Sequence, residues 1–439
     1  MVPQTDQAAR DRALAKIVTH AHDHTNKSGR ARAGIFLRQY YAHMAMDELE
    51  AFEPDALAWL ALHHLKTGHK RLAGVPTVNV YNPDKTDAPW RVGHSVVEIV
   101  TDDMSFLLDS VTAEMNTRGI GVHLAVHPVV RVRRSAKGQI SEILETGLLG
   151  VEKDVLSESY IHLHIDEQPT ARLDEIRDGL LEVLGDTRQA VLDWRDMRDE
   201  LSSLVAEMES FTQELALDDV SEVRDFLRWV HDDHFTLLGY REYEFTGTGT
   251  KARVNVVRGS GLGVLKNPKQ VVFQELRDLA KMPPDVRAFI NRPDLLMINK
   301  TDTKSRVHRP VLMDSIGVKR LDAKGRVVGQ RIFVGLFTAG AYNKSARDIP
   351  LLRRKIQSTF DAAGLPLSSH DGKALLNILE TFPRDELFQI SLQQLLETSL
   401  GILRLQDRQR VALRSEEHTS ELQSHHDLVC RLLLEKKKK

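Results

Sequence analysis

The stretch that decides the fold runs from His94 to Arg134 and reads HSVVEIVTDDMSFLLDSVTAEMNTRGIGVHLAVHPVVRVRR. Its apolar, β-branched run Val96–Thr101 predicts a strand. A helix with one apolar face should follow, because apolar residues recur at spacings of three and four: Leu108, Val111 and Met115. After Gly119 and Gly121, alternation predicts a half-buried strand, with one face formed by Val122, Leu124 and Val126 and the other by His123, Ala125 and His127.

A second half completes this domain. Tyr160–Asp166 alternates between apolar residues and histidines and predicts a strand. The segment Gln168–Thr170 opens a helix, because Pro169 in the first turn costs no hydrogen bond. Arg188–Trp194 is expected to supply the last strand. This order of elements, strand-helix-strand-strand-helix-strand, predicts a ferredoxin-like βαββαβ domain within a multidomain α+β chain. The fold alone proves no function.

The histidines of these strands form a further pattern. If the two strands pair as a hairpin, one polar face carries four imidazoles, those of His123, His127, His162 and His164. We interpret this as a solvated or packed polar face; the alternative is a pH-responsive or ligand-bearing patch.

The segments VVEIVTDDMSFLLDSVTAEMNTRGI and VHLAVHPVVRVRR resemble the N-terminal ACT-type regulatory domain of the large, single-chain NAD-specific glutamate dehydrogenases of bacteria. The resemblance extends from about Phe36 to about Leu413. One departure is visible, because the family's Met-Pro-Phe at the helix start is Met104-Ser105-Phe106 here.

The resemblance implies a regulatory site at the turn between the first strand and the first helix, where ACT-type domains commonly bind small amino acids. On this hypothesis Asp102 and Asp103 hold the ammonium group of an effector, while the Ser105 hydroxyl and the helix amides receive its carboxylate. The candidate ligand-binding residues are Asp102, Asp103, Met104, Ser105 and Phe106. The alternative is that Asp102 or Asp103 only caps the helix and Phe106 fills the core.

Composition excludes several classes of function. The chain has 439 residues, 41% of them hydrophobic, and a formal net charge of -2, which gives no electrostatic reason to expect nucleic acid or a membrane surface. No apolar run approaches the roughly 20 residues that span a bilayer, and the N-terminus lacks the apolar core of a signal peptide. A cytoplasmic location is therefore expected.

The C-terminal tail differs from the rest. Residues 414–439 resemble the translation of a sequencing-library adapter, beginning RSEEHTSELQS and ending in four lysines, and they contain the single cysteine, Cys430. We therefore expect the tail to be non-native and the native sequence to be interrupted near Leu413.

The remaining segments predict the domain organisation. A helical leader occupies residues 1–80, frayed over 1–33 and broken near Pro54; the ACT-like domain covers 81–194; and a helical connector covers 195–234. A PAS-like module with a mixed sheet covers 235–344, with a hairpin turn at 322–325 and an inserted helix over 267–292. Helices return over 345–413.

Other candidate motifs favour ordinary structure. Gly259-Ser260-Gly261-Leu262-Gly263 lacks the sixth-position glycine of a dinucleotide loop and is predicted to be a tight turn. Two groups of histidines lack a second ligand group at zinc spacing and are interpreted as surface residues: His20, His22 and His24, and His231 and His234. The same interpretation is given to His63 and His64. Two basic clusters are interpreted as solvated rather than phosphate-binding: Arg131, Arg133 and Arg134, and Arg353, Arg354 and Lys355.

With the resemblance, the chain is expected to be the N-terminal regulatory part of an NAD-specific glutamate dehydrogenase. The full-length enzyme would convert L-glutamate, NAD and water to 2-oxoglutarate, ammonia and NADH, and would assemble as a homo-oligomer, expected to be a tetramer. This chain is expected to hold no catalytic residue, metal or NAD, and its partners would be its own catalytic domain, other subunits and an amino-acid effector. The alternative is a stand-alone amino-acid sensor or scaffold built from ACT-like and PAS-like modules.

Overall fold

The structure is a computed structural model that describes residues 4–83, 93–145, 154–210, 217–247, 253–267, 295–322 and 326–405. The chain divides into two compact units. The first contains residues 1–191 and 305–310, and the second contains 192–304 and 311–439.

The first unit begins with four helices: α1 (Gln4–Ala21), α2 (Arg30–Tyr40), α3 (Met46–Glu50) and α4 (Pro54–Thr67). Pro54 occupies the first turn of α4, so the predicted break is confirmed. The expectation of a frayed leader is wrong for α1, because Leu14, Ile17 and Ala21 are buried in the core.

The sheet of the first unit is built from six strands in the described residues: β1 (Thr77–Tyr81), β2 (His94–Asp102), β3 (Val122–Val126), β4 (Val129–Arg134), β5 (Ile140–Ile143) and β6 (Leu156–Asp166). Their order is β1-β2-β6-β4-β5, and β3 also pairs with β6. The predicted helices are α5 (Leu107–Thr117) and α6 (Thr170–Leu192).

The predicted last strand, Arg188–Trp194, is wrong. This segment completes α6 and begins the next helix at Trp194. The edge position beside β2 is filled instead by β1, which pairs antiparallel to it from Thr77 opposite Val100 to Tyr81 opposite Val96. The ferredoxin-like layer is thus completed by a strand that precedes the others in sequence, because any antiparallel strand beside β2 satisfies the same hydrogen bonds.

Both faces of this sheet are covered. One face packs against the apolar stripes of α5 and α6, where Ile99, Leu163 and Val111 are fully buried. The other packs against the N-terminal helices, where Tyr160 contacts Phe36 of α2 and Val126 belongs to the same core. The two central strands, β2 and β6, are therefore buried along nearly their whole length.

A bulge changes the predicted facing of β3. Its register against β6 shifts between Val122 and Leu124, after which Leu124 lies opposite His164 and Val126 opposite His162. Residues paired across strands share a face, so Leu124 and Val126 lie on the side of His162 and His164. The expectation that His123 and His127 share that face is wrong.

The second unit combines helices with a second sheet. Its helices are α7 (Trp194–Ser210), α8 (Leu217–Trp229), α9 (Ala339–Asn343), α10 (Leu352–Ala363), α11 (His370–Thr381), α12 (Arg384–Gln389) and α13 (Leu392–Leu405). A π-helical turn, Val230–His234, follows α8, and a 3-10 turn, Ala346–Asp348, precedes α10. The strands are β7 (Phe235–Thr246), β8 (Arg253–Val256), β9 (Leu262–Gly263), β10 (Leu296–Lys304), β11 (Leu312–Leu321) and β12 (Val327–Phe337).

The second sheet has the order β10-β11-β12-β7-β8, with β9 pairing with β7. Every described pairing is antiparallel, so the prediction of a mixed sheet is wrong. The predicted hairpin at Asp322 is supported by the pairing of β11 with β12 and by the Asp322 N–H, which donates to the Arg326 carbonyl, although residues 323–325 lie outside the described residues. Most of the predicted helix over 267–292 and the 414–439 tail also lie outside them.

Among the described residues, no helix combines the length and apolarity needed to cross a membrane.

Candidate effector-binding turn

The turn between β2 and α5 begins with a residue in an unusual conformation. Phe106 immediately precedes the helix in the left-handed region, with φ 70, and no side chain caps the helix amides. The expectation that Asp102 or Asp103 caps this helix is therefore wrong. The cap position falls three residues beyond Asp103, and both carboxylates have other partners.

Asp102 is held by two arginines. Its Oδ1 accepts from Arg71 at 2.7 Å, and its Oδ2 accepts from Arg188 at 2.6 Å and from the Gly74 N–H at 3.0 Å. Burial opposes ionisation of Asp102, but the hydrogen bonds and charges of Arg71 and Arg188 outweigh it and hold the pKa of the carboxyl below its usual value. Asp102 is therefore already neutralised within the fold.

Arg71 also belongs to a buried ion-pair network. Its guanidinium donates to Glu158 at 2.5 Å, and Arg134 donates to both Glu158 oxygens at 2.6 Å. The side chains of Arg71 and Glu158 are fully buried. The network ties the segment after α4 to β4 and β6, so Arg134 is a structural residue rather than part of a solvated basic cluster.

The other residues of the turn are more accessible. Asp103 is exposed, and its Oδ1 accepts from the Ser159 hydroxyl at 2.6 Å. Ser105 is exposed, whereas Met104 packs partly against the core under α5. Phe106 is half-buried rather than in the core, and its ring centroid lies 4.9 Å from that of His308. Asp103 and Ser105 are therefore the polar side chains of the turn that face solvent.

Residues 305–310 pack beside this turn as part of the first unit. Val307 is fully buried, and the Ser305 hydroxyl donates to its carbonyl at 2.7 Å. The His308 N–H donates to the Ser110 hydroxyl at 3.0 Å, and His308 Nδ1 lies 2.9 Å from Asp109 Oδ2. These contacts occupy the first turn of α5 on the side of Phe106.

An open groove of about 350 Å³ lies along the same helix. It is lined by the α5 residues Asp109, Thr112 and Asn116 and by His308. The sequence pattern did not single out this groove, because residues 305–310 are distant in sequence from α5.

The glycine-rich segment is a tight turn, as predicted. Gly259 and Gly263 have positive φ values of 81 and 58, and the Ser260 N–H donates to the Val257 carbonyl at 3.2 Å. A Cβ at Gly263 would lie 2.2 Å from the Leu238 carbonyl oxygen, so close approach to β7 explains this glycine.

The second basic cluster is also engaged in structure. Arg353 pairs with Glu222 and Asp225, each at 2.8 Å. Lys355 Nζ donates to three carbonyls at the end of α12, those of Leu387, Phe388 and Ile390, at 2.7, 3.1 and 2.8 Å. Burial lowers the pKa of Lys355 to about 8.

The exposed histidines of the N-terminal region pair with a carboxylate. His24 lies 2.7 Å and His20 3.8 Å from Asp55 Oδ1. His234 stacks on Trp229 with ring centroids 4.5 Å apart. No group of three or more histidine, cysteine or acidic residues suited to a metal ion occurs in the part of the chain that the structure describes.

Sequence reasoning was wrong about His64, which is fully buried rather than on the surface. His63 is partly exposed and contacts the buried carboxylate of Glu98 at 2.9 Å. The signal that could have revealed this was the carboxylate of Glu98 between the apolar pairs Val96–Val97 and Ile99–Val100, since a buried carboxylate requires a partner.

Family models match both units. Residues 36–180 match the model described as glutamate dehydrogenase, ACT1 domain, and residues 349–408 match glutamate dehydrogenase, helical motif 1. The first match begins in α2, so it includes part of the helical layer as well as the sheet. The fold and these matches define the class, a multidomain protein with a domain similar to the ACT1 domain of glutamate dehydrogenases.

Characterised relatives are similar over most of the chain. A protein of Halomonas elongata named NAD-specific glutamate dehydrogenase is 34% identical over 424 residues, which cover 95% of this chain and 26% of that protein. Proteins of the same name from Pseudomonas aeruginosa and Mycobacterium tuberculosis are 34% and 28% identical, over 90% and 84% of this chain. The chain spans about a quarter of the length of these relatives.

Proposed function

We propose that this chain is the N-terminal regulatory region of an NAD-specific glutamate dehydrogenase. The observation that carries the proposal is similarity at 34% identity across 95% of the chain to a protein of that name, together with the ACT1 match over residues 36–180. The stand-alone sensor is not favoured, because all three relatives described above carry the name of the enzyme.

In the whole enzyme, L-glutamate, NAD and water would yield 2-oxoglutarate, ammonia and NADH. Hydride transfer requires a site that places the cofactor against the substrate, and a catalytic domain outside this chain would supply it. The regulatory region would contribute to assembly, proposed to be a cytoplasmic homotetramer. The second unit is proposed to be PAS-like, which is supported by its antiparallel sheet with β7 between β8 and β12.

The turn Asp102–Phe106 is proposed to receive an amino-acid effector. Because Asp102 is neutralised by Arg71 and Arg188, Asp103 would bind the ammonium group of the effector. The Ser105 hydroxyl and the amides at the start of α5 would donate hydrogen bonds to its carboxylate. Coupling to the distant catalytic domain would be a free energy of about 1 to 3 kcal/mol.

The enzymatic part is tested by comparing residues 1–413 with the full reading frame that continues beyond Leu413. We expect glutamate-dependent NADH formation from the longer protein and none from residues 1–413. A native stop codon after Leu413, or turnover by residues 1–413 alone, would contradict the proposal.

The effector part is tested by calorimetric titration with a panel of amino acids. We expect Asp103→Ala to lose the affinity of wild type, whereas the matched surface variant Asp178→Ala keeps it. If no amino acid binds at millimolar concentration, or if both variants bind alike, the turn has no effector role.

A further inference from the structure

A layer of imidazoles lies in the first unit between the sheet and helix α4. Three of them are almost fully buried: His64 at 0% exposure, His162 at 1% and His164 at 2%. The ring centroids of His162 and His164 are 5.0 Å apart, and those of His64 and His162 are 5.9 Å apart. We call these three residues the histidine layer.

Hydrogen bonding holds His64 in a neutral form. Its Nε2 lies 3.2 Å from the Ile99 carbonyl, which can only accept, so Nε2 carries the proton. Its Nδ1 lies 2.8 Å from the Tyr40 hydroxyl and therefore accepts from it. A second proton on His64 would displace the Tyr40 donor and place a charge in a fully buried site.

His162 lacks even this compensation. Neither of its ring nitrogens has a hydrogen-bond partner among the described protein atoms, and the same holds for Nε2 of His164. A buried polar group left without a partner destabilises the folded state by about 1 to 3 kcal/mol. An apolar side chain would pack here at lower cost, so these imidazoles are not explained by stability at neutral pH.

One carboxylate faces the layer, and it is already engaged. Glu98 is fully buried, and it accepts from Thr67 at 2.6 Å and contacts His63 at 2.9 Å, with the Tyr81 hydroxyl at 3.3 Å. It lies 3.9 Å from His162 Nδ1. Burial opposes its ionisation, but the hydrogen bond with His63 holds the pKa of Glu98 below its usual value.

The groups around the other end of the layer are imidazoles and aromatic rings. The ring centroid of His94 lies 6.2 Å from that of His164, and the His94 ring stacks on the ring of His123. His123 Nε2 lies 2.7 Å from Asp166 Oδ1 near the surface. Phe52, which lies between α3 and α4, contacts His164, and Tyr160 contacts His64. No further acidic side chain contacts the layer among the described residues, so additional protons on it would repel one another.

We propose that the histidine layer is a pH switch. Protonation of His64, His162 and His164 in mild acid separates the helices α2 and α4 from the sheet of the first unit. At neutral pH the imidazoles are uncharged and the helices cover the sheet. In mild acid the charged imidazoles are stable only when hydrated, and hydration requires the helices to separate from the sheet.

The sign and size of the response follow from linkage. Burial lowers the pKa of His64 to about 4, and burial with the nearby His94 and His123 lowers that of His164 to about 4, from 6.5. The released state therefore binds more protons between pH 6.5 and 4, and the helices lose stability as pH falls through that window. At pH 5 each of these two histidines favours release by roughly 30-fold relative to pH 7.5.

Hydrogen exchange on the full chain tests the proposal. We expect the opening equilibrium of α4 amides, corrected for intrinsic exchange rates, to rise by more than about 100-fold from pH 7.5 to pH 5, whereas amides of β11 and β12 stay nearly constant. In His162→Leu/His164→Leu the rise should shrink to roughly the 30-fold contribution of His64, with equal or slower exchange at pH 7.5.

Three outcomes would overturn the proposal. The first is a wild-type pH series in which α4 exchange does not change, which needs no variant to fold. The second is a rise in α4 exchange between pH 7.5 and pH 5 that is as large in the double variant as in His43→Leu. His43→Leu is the control that removes an exposed histidine of the same region. The third is a rise in the wild-type melting temperature with Zn²⁺ at pH 7.5 that the double variant lacks, because the layer would then be a metal site.

Discussion

Phe106 has a strained backbone conformation that is not apparent from the sequence. A side chain in the left-handed region is strained because its Cβ crowds the following carbonyl, and glycine is the residue usually found there. Phenylalanine keeps this position while its ring rests against His308. The pattern correctly predicted a helix from about residue 107, but no sequence rule predicts positive φ at a phenylalanine.

We expect Phe106→Gly to be more stable than Phe106→Ala by about 1 kcal/mol, because both lose the ring and only glycine relieves the backbone. Urea denaturation of the two variants measures the difference. At Asn116, exposed on α5, the order should reverse, with Asn116→Ala about 1 kcal/mol more stable than Asn116→Gly. The same order at both positions would show that Phe106 is unstrained.

Lys355 provides a second prediction for a single residue. Its ammonium satisfies three carbonyls at the end of α12, a position where helix carbonyls have no partners within the helix. Lys355→Met should therefore lower the free energy of unfolding of the second unit by about 2 kcal/mol. Lys373→Met, at an exposed position on α11, serves as the matched control and should change it by less than about 0.5 kcal/mol.

At the scale of elements, periodicity predicted α5, β2, β6 and the start of α6, because each buries one face with an unbroken repeat. Periodicity failed for the facing of β3 and for the last strand of the sheet. The bulge at His123 moved Leu124 and Val126 to the opposite face, since a shift of one residue reverses every side chain of a strand. The last strand was missed because β1 fills its position from elsewhere in the chain.

The candidate site was predicted less well than the fold. The sequence predicted that Asp102–Phe106 connect the first strand to the first helix, and they do so in the structure. The partners of Asp102, however, are Arg71 and Arg188, which lie 31 and 86 residues away in sequence. Such long-range partners decide which carboxylate remains accessible. No local pattern reports them.

Substitutions at Gly259 and Gly263 test how closely β9 packs against β7. Gly263→Ala should cost more than about 3 kcal/mol, because a Cβ would lie 2.2 Å from the Leu238 oxygen at a positive φ of 58. Gly259→Ala, with φ 81 but nothing within 4 Å, should cost only about 1 kcal/mol. Equal losses in urea denaturation would mean that the backbone conformation matters and the contact with β7 does not.

At the scale of the whole molecule, each of the two family matches falls inside one compact unit. The ACT1 match lies within the first unit and the helical-motif match within the second. The order of predicted elements correctly indicated a chain with more than one domain. It could not indicate that residues 305–310 belong to the first unit, because that grouping depends on contacts more than a hundred residues away in sequence.

The tail supplies a prediction for the whole chain. Its four terminal lysines and lack of periodicity give residues 414–439 no apolar face to bury. Deleting them should leave the melting temperature unchanged in calorimetry. A fall of several degrees would show that they contribute to the fold and would count against the adapter interpretation.

The membership of Val307 in the first unit has a consequence for biosynthesis. Residue 191 leaves the ribosome 116 residues (307 minus 191) before Val307 does, which at 5 to 20 residues per second is a delay of roughly 6 to 23 s. During that interval the site on α5 that Ser110 and Asp109 form for His308 is vacant on the nascent chain. The first unit therefore reaches its final packing only after residues 192–304 of the second unit have been translated.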